Sequence, residues 1–180
     1  RAGKSYLMYG KIQELLAQGH SWDEIVYLNF EDERLAGMEL NDLNKIFEVH
    51  AGLGGERPML FLDEIQNIDG WEHFARRVAD SKLTVFITGS NAKMLSVDVS
   101  AALGGRYMTR EVFPMQFDEY LMSNGVNSGD ELLTATTASR GRLMKLFEEY
   151  FQFGGFPECS TLPVKRDYIM SLYQKIFFGD

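Results

Sequence analysis

Short apolar runs alternate with amphipathic segments over residues 4–113, and this alternation constrains the fold more than any other feature of the sequence. Four runs have the length and the β-branched or aromatic character of strands, namely residues 25–30, 58–62, 83–88 and 106–113. The runs are apolar on both faces, which is typical of parallel strands covered by helices. The sequence therefore predicts an α/β fold in which helices and a parallel sheet form three layers.

The strand pattern ends after Phe113, and the rest of the chain has helical periodicity. Helices are predicted over residues 116–123, 140–151 and 164–178. Residues 123–139 are rich in Gly, Asn, Ser and Thr, as loops and linkers are. We therefore predict a core of residues 1–122 and a helical segment of residues 123–180. The last helix carries an apolar face close to Asp180, which leads us to expect further chain in the complete protein.

Composition and charge exclude several classes of protein. The chain has 18 basic and 26 acidic residues, a net charge of −8, which argues against a protein that coats nucleic acid over its whole surface. It has one cysteine and three histidines without metal-ligand spacing, which argues against disulfides and a zinc site. No apolar run approaches the roughly 20 residues that a membrane helix needs. A reducing, cytoplasmic compartment is the simplest interpretation of the cysteine usage.

The first motif lies at the start of the chain, where Gly3, Lys4 and Ser5 precede or open a predicted helix. They match the end of the phosphate loop G-x-x-x-x-G-K-[ST]. In that loop backbone N–H groups and a helix N-terminus hold phosphates, the lysine reaches the β- and γ-phosphates, and the hydroxyl ligates Mg²⁺. A surface tripeptide at a helix start is the alternative. The match predicts that this chain begins inside the phosphate loop, with the loop's strand before Arg1.

The second motif is the pair Asp63 and Glu64, which follows the apolar strand of residues 58–62. An aspartate at a strand end is suited to holding Mg²⁺ through water. A glutamate directly after it is suited to activating water for attack on a γ-phosphate. A strand entering a solvated acidic turn is the alternative. Because both motifs occur in this order with one strand between them, we interpret them together as a site for ATP and Mg²⁺.

Two polar clusters fall where a P-loop ATPase needs them. Ser90 and Asn91 follow the third predicted strand, at the sheet edge that lines the ligand crevice of parallel sheets. They are placed to orient the attacking water or to sense the γ-phosphate, and a helix cap at Ser90 is the alternative. Arg106 follows two glycines at the start of the fourth predicted strand. It is either an arginine that stabilises phosphoryl charge, in cis or in trans, or a surface residue beside a glycine turn.

The chain resembles the prokaryotic AAA-type P-loop ATPases that carry a DUF4143-type C-terminal region. The segments that carry the resemblance are YLNFEDERL at 27–35, FLDEIQNIDGWE at 61–72, TGSNAKMLS at 88–96, LGGRYMTREVFPMQFDEYL at 103–121 and FGGFPE at 153–158. The resemblance implies an ATPase core, a helical segment and a further C-terminal domain. The family's functional residues correspond to Lys4 and Ser5 in the phosphate loop, Asp63 and Glu64 at the acidic strand end, Ser90 and Asn91 in the sensor segment, and Arg106.

Motifs and resemblance together predict ATP binding and Mg²⁺-dependent ATP hydrolysis coupled to conformational change. A nucleotide-dependent switch or interaction module with little turnover is one alternative, and a nucleic-acid-associated regulator is another. Glu64 favours hydrolysis over a pure switch, because a binding module does not need a strand-end glutamate beside the aspartate. We also expect a homo-oligomer in which Arg106 acts in trans. A nucleic-acid or protein partner would bind through the region after Asp180.

Overall fold

The computed structural model describes residues 2–89, 101–126, 136–160 and 162–178. The chain divides into two compact units. One unit contains residues Lys4–Arg110, and the other contains Arg1–Gly3 and Glu111–Asp180. The sequence placed its boundary after residue 122, inside the second of these units.

The first unit is built on a parallel sheet of three strands. The strands β1 (Ile25–Asn29), β2 (Met59–Asp63) and β3 (Val85–Ile87) lie in the order β1-β2-β3. Asn29 lies beside Asp63 in the register, and Leu62 lies beside Ile87. Parallel neighbours need a crossover connection, which the intervening helices supply. The predicted α/β fold with a parallel sheet is therefore confirmed.

Helices cover both faces of this sheet. Helix α1 (Lys4–Ala17) packs against one face, and helices α2 (Lys45–Gly52) and α3 (Trp71–Asp80) pack against the other. The α1 cluster contains Met8, Ile12, Leu15 and Phe61, whereas Leu60 and Leu62 belong to the cluster of α2 and α3. Successive side chains of a strand point to opposite faces. Asp63 therefore shares the face of Phe61, which is the face that α1 covers.

The predicted fourth strand is wrong. No strand is present over residues 106–113, and Met108 is 99% exposed. A strand requires a neighbour that pairs with its N–H and C=O groups, and aromatic or β-branched composition does not supply one. This segment also crosses the boundary between the two units, which falls after Arg110. Arg106 therefore lies in an irregular segment and does not begin a strand.

The second unit is mainly helical, as predicted, and contains α4 (Phe117–Ser123), α5 (Thr137–Phe153) and α6 (Lys165–Phe178). Helix α5 ends at Phe153, and the following Gly154 has a φ of +71°, which favours glycine. The carbonyl of the next residue, Gly155, accepts a hydrogen bond from the Met115 amide at 2.7 Å. A Cβ on Gly155 would lie 1.9 Å from the Met115 carbonyl oxygen. The two glycines of the FGGFPE segment are thus required by a left-handed turn and by a close backbone approach.

Across the described parts of the chain, no helix combines the length and the apolar character needed to span a membrane.

Candidate functional site

Asp63, at the end of β2, is fully buried, and both of its carboxylate oxygens are hydrogen-bonded. The phenol of Tyr27, on the neighbouring strand β1, donates to Oδ2 at 2.9 Å. The hydroxyl of Thr88, just after β3, donates to Oδ1. Strands on both sides of β2 therefore fix the orientation of this carboxylate.

Tyr27 is itself part of a short hydrogen-bonded chain. The hydroxyl groups of Tyr9 and Tyr27 are 3.1 Å apart. Because the single phenol proton of Tyr27 goes to Asp63, Tyr9 must donate to Tyr27. Burial raises the pKa of Tyr27 well above its usual range, and the hydrogen bonds with Tyr9 and Asp63 raise it further. Tyr27 therefore remains a protonated donor to Asp63 at neutral pH.

Glu64, directly after Asp63, has a left-handed backbone conformation with φ of 54° and ψ of 43°. A non-glycine residue in this region costs about 1 kcal/mol or more, so the surroundings must hold it there. The backbone amide of Glu64 donates to Thr88 Oγ1 at 3.1 Å. Thr88 thus accepts from one acidic residue and donates to the other, which ties the end of β3 to both.

The Glu64 side chain lies between a lysine and a glutamine. Lys4 Nζ, in the first turn of α1, is 3.5 Å from Glu64 Oε1, and the two side chains are 27% and 17% exposed. The amide nitrogen of Gln66 donates to Glu64 Oε2 at 2.6 Å. Helix α1 covers the face of β2 that bears Asp63, and the contact between Lys4 and Glu64 places its first turn at the end of that strand. The fold therefore brings Lys4 of the first sequence motif to Glu64 of the second.

The other residues singled out from the sequence have different surroundings. Ser5 follows Lys4 in the first turn of α1, and within the described residues no hydrogen bond joins it to Asp63. Gly3 precedes this helix with a φ of +97°. Ser90 and Asn91 lie outside the described residues.

Arg106 is paired with Asp80 and not with the acidic strand end. The distance between Arg106 Nε and Asp80 Oδ1 is 3.0 Å, and both side chains are about half exposed. Gly104 and Gly105 have φ values of +58° and +74°, a turn that directs Arg106 toward the end of α3. The structure thus separates Arg106 from the contact between Lys4 and Glu64.

Three features of the site were not predicted from the sequence. They are the hydrogen bond of Tyr27 to Asp63, that of Gln66 to Glu64, and the bridging of Asp63 and Glu64 by Thr88. Tyr27 precedes the end of β1 by two residues, so the alternation of a strand places it on the face of Asp63 once the register is known. Gln66 lies two residues after Glu64 in a turn, and in a turn the spacing between residues does not predict the direction in which a side chain points. The contact of Tyr27 could have been predicted only with the pairing register of β1 and β2. The sequence carries no signal that predicts the contact of Gln66.

The donor set fits a magnesium ion that a bound phosphate helps to hold. Both oxygens of Asp63 already accept hydrogen bonds from side chains, which favours contact with a metal through water. Within the described ranges, no group of three or more His, Cys, Asp or Glu side chains is placed to hold a metal. Mg²⁺ is usually bound by one or two protein ligands together with substrate phosphates, so a site of this kind needs no protein cage.

Comparison with known proteins identifies relatives that match the whole of this chain. The uncharacterized protein MJ1544 of Methanocaldococcus jannaschii is 34% identical over the whole of this chain, which covers 40% of that protein. An uncharacterized protein of Haemophilus influenzae is 30% identical over the whole chain, which covers 44% of it. This chain thus spans less than half the length of either relative. No solved structure matches the chain.

The family comparison concerns the part of the chain that contains the site. A family model described as an AAA domain matches residues 1–121. This range includes Lys4, Asp63 and Glu64 and extends over more than half of the sequence. The chain therefore belongs to the AAA domain family, whose domains are ATPase-like and nucleotide-binding, with Mg²⁺ as the typical ion.

Proposed function

We propose that this protein binds ATP with Mg²⁺ and hydrolyses it, and that hydrolysis is coupled to conformational change. The observation that carries the proposal is the distance of 3.5 Å between Lys4 Nζ and Glu64 Oε1. A tripeptide that stood at a helix start by chance would have no reason to meet the acidic strand end. Membership of the AAA domain family supports the same function.

The start of α1 is the proposed phosphate site. The N–H groups of a helix's first turn have no partner inside the helix, and they carry partial positive charge that favours an anion. Lys4 adds a full positive charge at the same place and would contact the β- and γ-phosphates. Gly3 and Ser5 flank it, Gly3 contributing backbone and Ser5 a hydroxyl. Ser5 and, through water, Asp63 would hold Mg²⁺, which neutralises charge on the phosphates.

Glu64 is the proposed general base. Its carboxylate is largely shielded from solvent, and Lys4 and Gln66 orient it. When Lys4 turns to a phosphate, Glu64 loses its cation and becomes free to accept a proton from a water molecule. General bases of this kind contribute about 10² to 10⁴ in rate.

The test is a pair of substitutions in the full-length protein. Glu64→Gln should retain ATP binding, measured by calorimetry, and lower phosphate release by about 10² to 10⁴. Lys4→Ala should instead weaken ATP binding, since it removes a direct phosphate contact. Glu48→Gln, on the exposed side of α2, is the matched control and should leave both quantities unchanged. Hydrolysis by Glu64→Gln at the parent rate would show that Glu64 is not the base.

The same assay separates the two classes of function. A nucleotide-dependent switch would bind ATP and leave it intact in the parent protein. A hydrolase releases phosphate at a rate that depends on Glu64.

For the whole protein, we extend the proposal to a cytoplasmic location and to a DUF4143-type region after residue 180. That region would bind a protein or nucleic-acid partner.

We further propose that Ser90 and Asn91 orient the attacking water and that Arg106 acts on a neighbouring subunit of a homo-oligomer. Arg106 would have to leave Asp80 to do so, and both side chains are exposed enough to separate. Mixing inactive Arg106→Ala and Lys4→Ala subunits should restore part of the activity, because some interfaces then pair an intact arginine with an intact phosphate site. If the subunits exchange and the mixture still shows no activity, Arg106 does not act in the site of a neighbouring subunit.

A further inference from the structure

The two carboxylate oxygens of Glu64 have different partners. Gln66 Nε2 donates to Oε2 at 2.6 Å, and Lys4 Nζ lies 3.5 Å from Oε1. The first contact is a short hydrogen bond to a carboxylate, and the second is longer than a hydrogen bond of good geometry. Gln66 is therefore the closer and better-directed partner of Glu64.

The backbone that carries Gln66 is anchored on both sides. Gln66 lies in a 3₁₀ turn over Ile65–Asn67, and the Ile65 side chain is fully buried. The Ile65 amide donates to the Thr88 carbonyl at 3.2 Å. The side-chain amide of Asn67 donates to the Phe30 carbonyl at 3.1 Å. The turn is thus tied to the segments that follow β3 and β1, so it can hold the Gln66 side chain in one place.

The oxygen of the Gln66 side-chain amide has no hydrogen-bond partner among the described residues, although its nitrogen is bonded to Glu64. Within the part of the chain that the structure describes, Gln66 Oε1 is a buried side-chain atom without a hydrogen-bond partner. Rotating the amide by half a turn would not relieve this, because it would place Oε1 against Glu64 Oε2, and both atoms are acceptors. The orientation of the amide therefore satisfies its nitrogen, which donates to Glu64, and leaves its oxygen without a hydrogen bond to any residue that the structure describes.

We propose that Gln66 is the residue that positions Glu64 for catalysis, an inference that rests on the proposed ATP hydrolysis. Binding of ATP draws Lys4 to the phosphates and frees Oε1, while Gln66 continues to hold Oε2. The attacking water then gives a proton to Oε1, and its oxygen forms a bond to the γ-phosphorus. The bond between that phosphorus and the β–γ bridging oxygen breaks, and the electron pair leaves with ADP.

The experiment compares kcat and KM for ATP in full-length variants. Gln66→Met preserves the length of the side chain and removes the donor, and it should lower kcat by about 10- to 100-fold, the cost of a misplaced catalytic group. ATP affinity should stay within about twofold of the parent, because Gln66 does not contact the phosphates in this scheme. Gln18→Met is the matched control, since Gln18, just after α1, also donates to a glutamate, Glu14, but in an exposed position. It should leave kcat unchanged.

A double variant tests whether Gln66 acts through Glu64. In a Glu64→Gln background, Gln66→Met should cause no further loss of turnover. A further loss there, an equal loss of affinity and kcat, or a parent-like kcat in Gln66→Met would each overturn the inference. Gln66→Asn retains an amide that is too short to reach Glu64, so it should reproduce the loss of kcat even if Gln66→Met fails to fold. If the parent releases no phosphate, the proposed function fails together with this inference. If Glu64→Gln is inactive and both Gln66 variants are fully active, the inference fails alone.

Discussion

Replacing Tyr27 by phenylalanine removes one hydroxyl group from the surroundings of Asp63. Tyr27 Oη donates to Asp63 Oδ2 at 2.9 Å, and Asp63 is fully buried. The rest of the ring packs with the α1 cluster, which contains Met8, Ile12 and Phe61. A phenylalanine retains those apolar contacts. The variant therefore isolates the hydrogen bond from the packing.

The expected cost follows from leaving one oxygen of a buried carboxylate without its donor. A hydrogen bond to a charged group contributes about 1.5–3 kcal/mol. We expect Tyr27→Phe to lower the free energy of unfolding by about 2 kcal/mol at pH 7. For a chain of this size, that loss lowers the thermal midpoint by roughly 4–8 °C. It lowers the urea midpoint by about 1 M if the m value is about 2 kcal/mol/M.

Urea unfolding followed by tryptophan fluorescence measures this loss. Trp71 is buried in α3 of the same unit, whereas Trp22 is mainly exposed, so the signal reports chiefly on the core around Trp71. Tyr6→Phe is the matched control, because Tyr6 is 77% exposed, and it should change stability by less than about 0.5 kcal/mol. If Tyr27→Phe matched that control at an unchanged m value, the bond from Tyr27 to Asp63 would contribute nothing to stability.

The same variant has an alkaline signature. Burial, with the hydrogen bonds to Tyr9 and Asp63, raises the pKa of Tyr27 in the folded protein above its unfolded value of about 10. A raised pKa contributes stability that is fully present below about pH 10 and is lost as the pH rises toward the folded value. The parent should therefore lose stability more steeply than Tyr27→Phe above pH 10, by up to about 1.4 kcal/mol per pH unit. Parallel stability curves above pH 10 would contradict this.

Four further predictions concern other residues of the chain. Gly155→Ala should lower the thermal midpoint, because its Cβ would lie 1.9 Å from the Met115 carbonyl oxygen, an overlap that costs about 1–3 kcal/mol. Gly141→Ala, in open space on α5, should raise the midpoint, since alanine is favoured in helices by about 0.5–1 kcal/mol. Burial raises the pKa of the Cys159 thiol, so it should react with a disulfide reagent in guanidinium chloride and only slowly in the native state. Thr88→Val removes the hydroxyl that joins Asp63 and Glu64, and urea unfolding should show a loss of about 2 kcal/mol.

The sequence alone was sufficient for the three strands of the sheet and for the choice of candidate site residues. The strands near Ile25, Met59 and Val85 could be predicted because runs that are apolar on both faces are local properties of the chain. Lys4 and Glu64 could be chosen as candidates because a phosphate site requires specific residue types next to a helix start and a strand end. Their contact depends on the tertiary structure, because the first turn of α1 has to lie at the end of β2, which the sequence does not specify.

Tertiary structure alone decided that residues 106–113 form no strand, and it alone decided what holds the acidic residues. Residues 106–113 have strand-like composition and remain irregular, because a strand depends on a pairing partner from elsewhere in the chain. The bonds of Tyr27 and Thr88 to Asp63 depend on the register of three strands, and a shift by one residue would turn the Tyr27 side chain to the opposite face. The bond of Gln66 to Glu64 depends on a turn tied to two strand ends. Each of these is a non-local contact, and local sequence specifies which residues are present but not which of them meet.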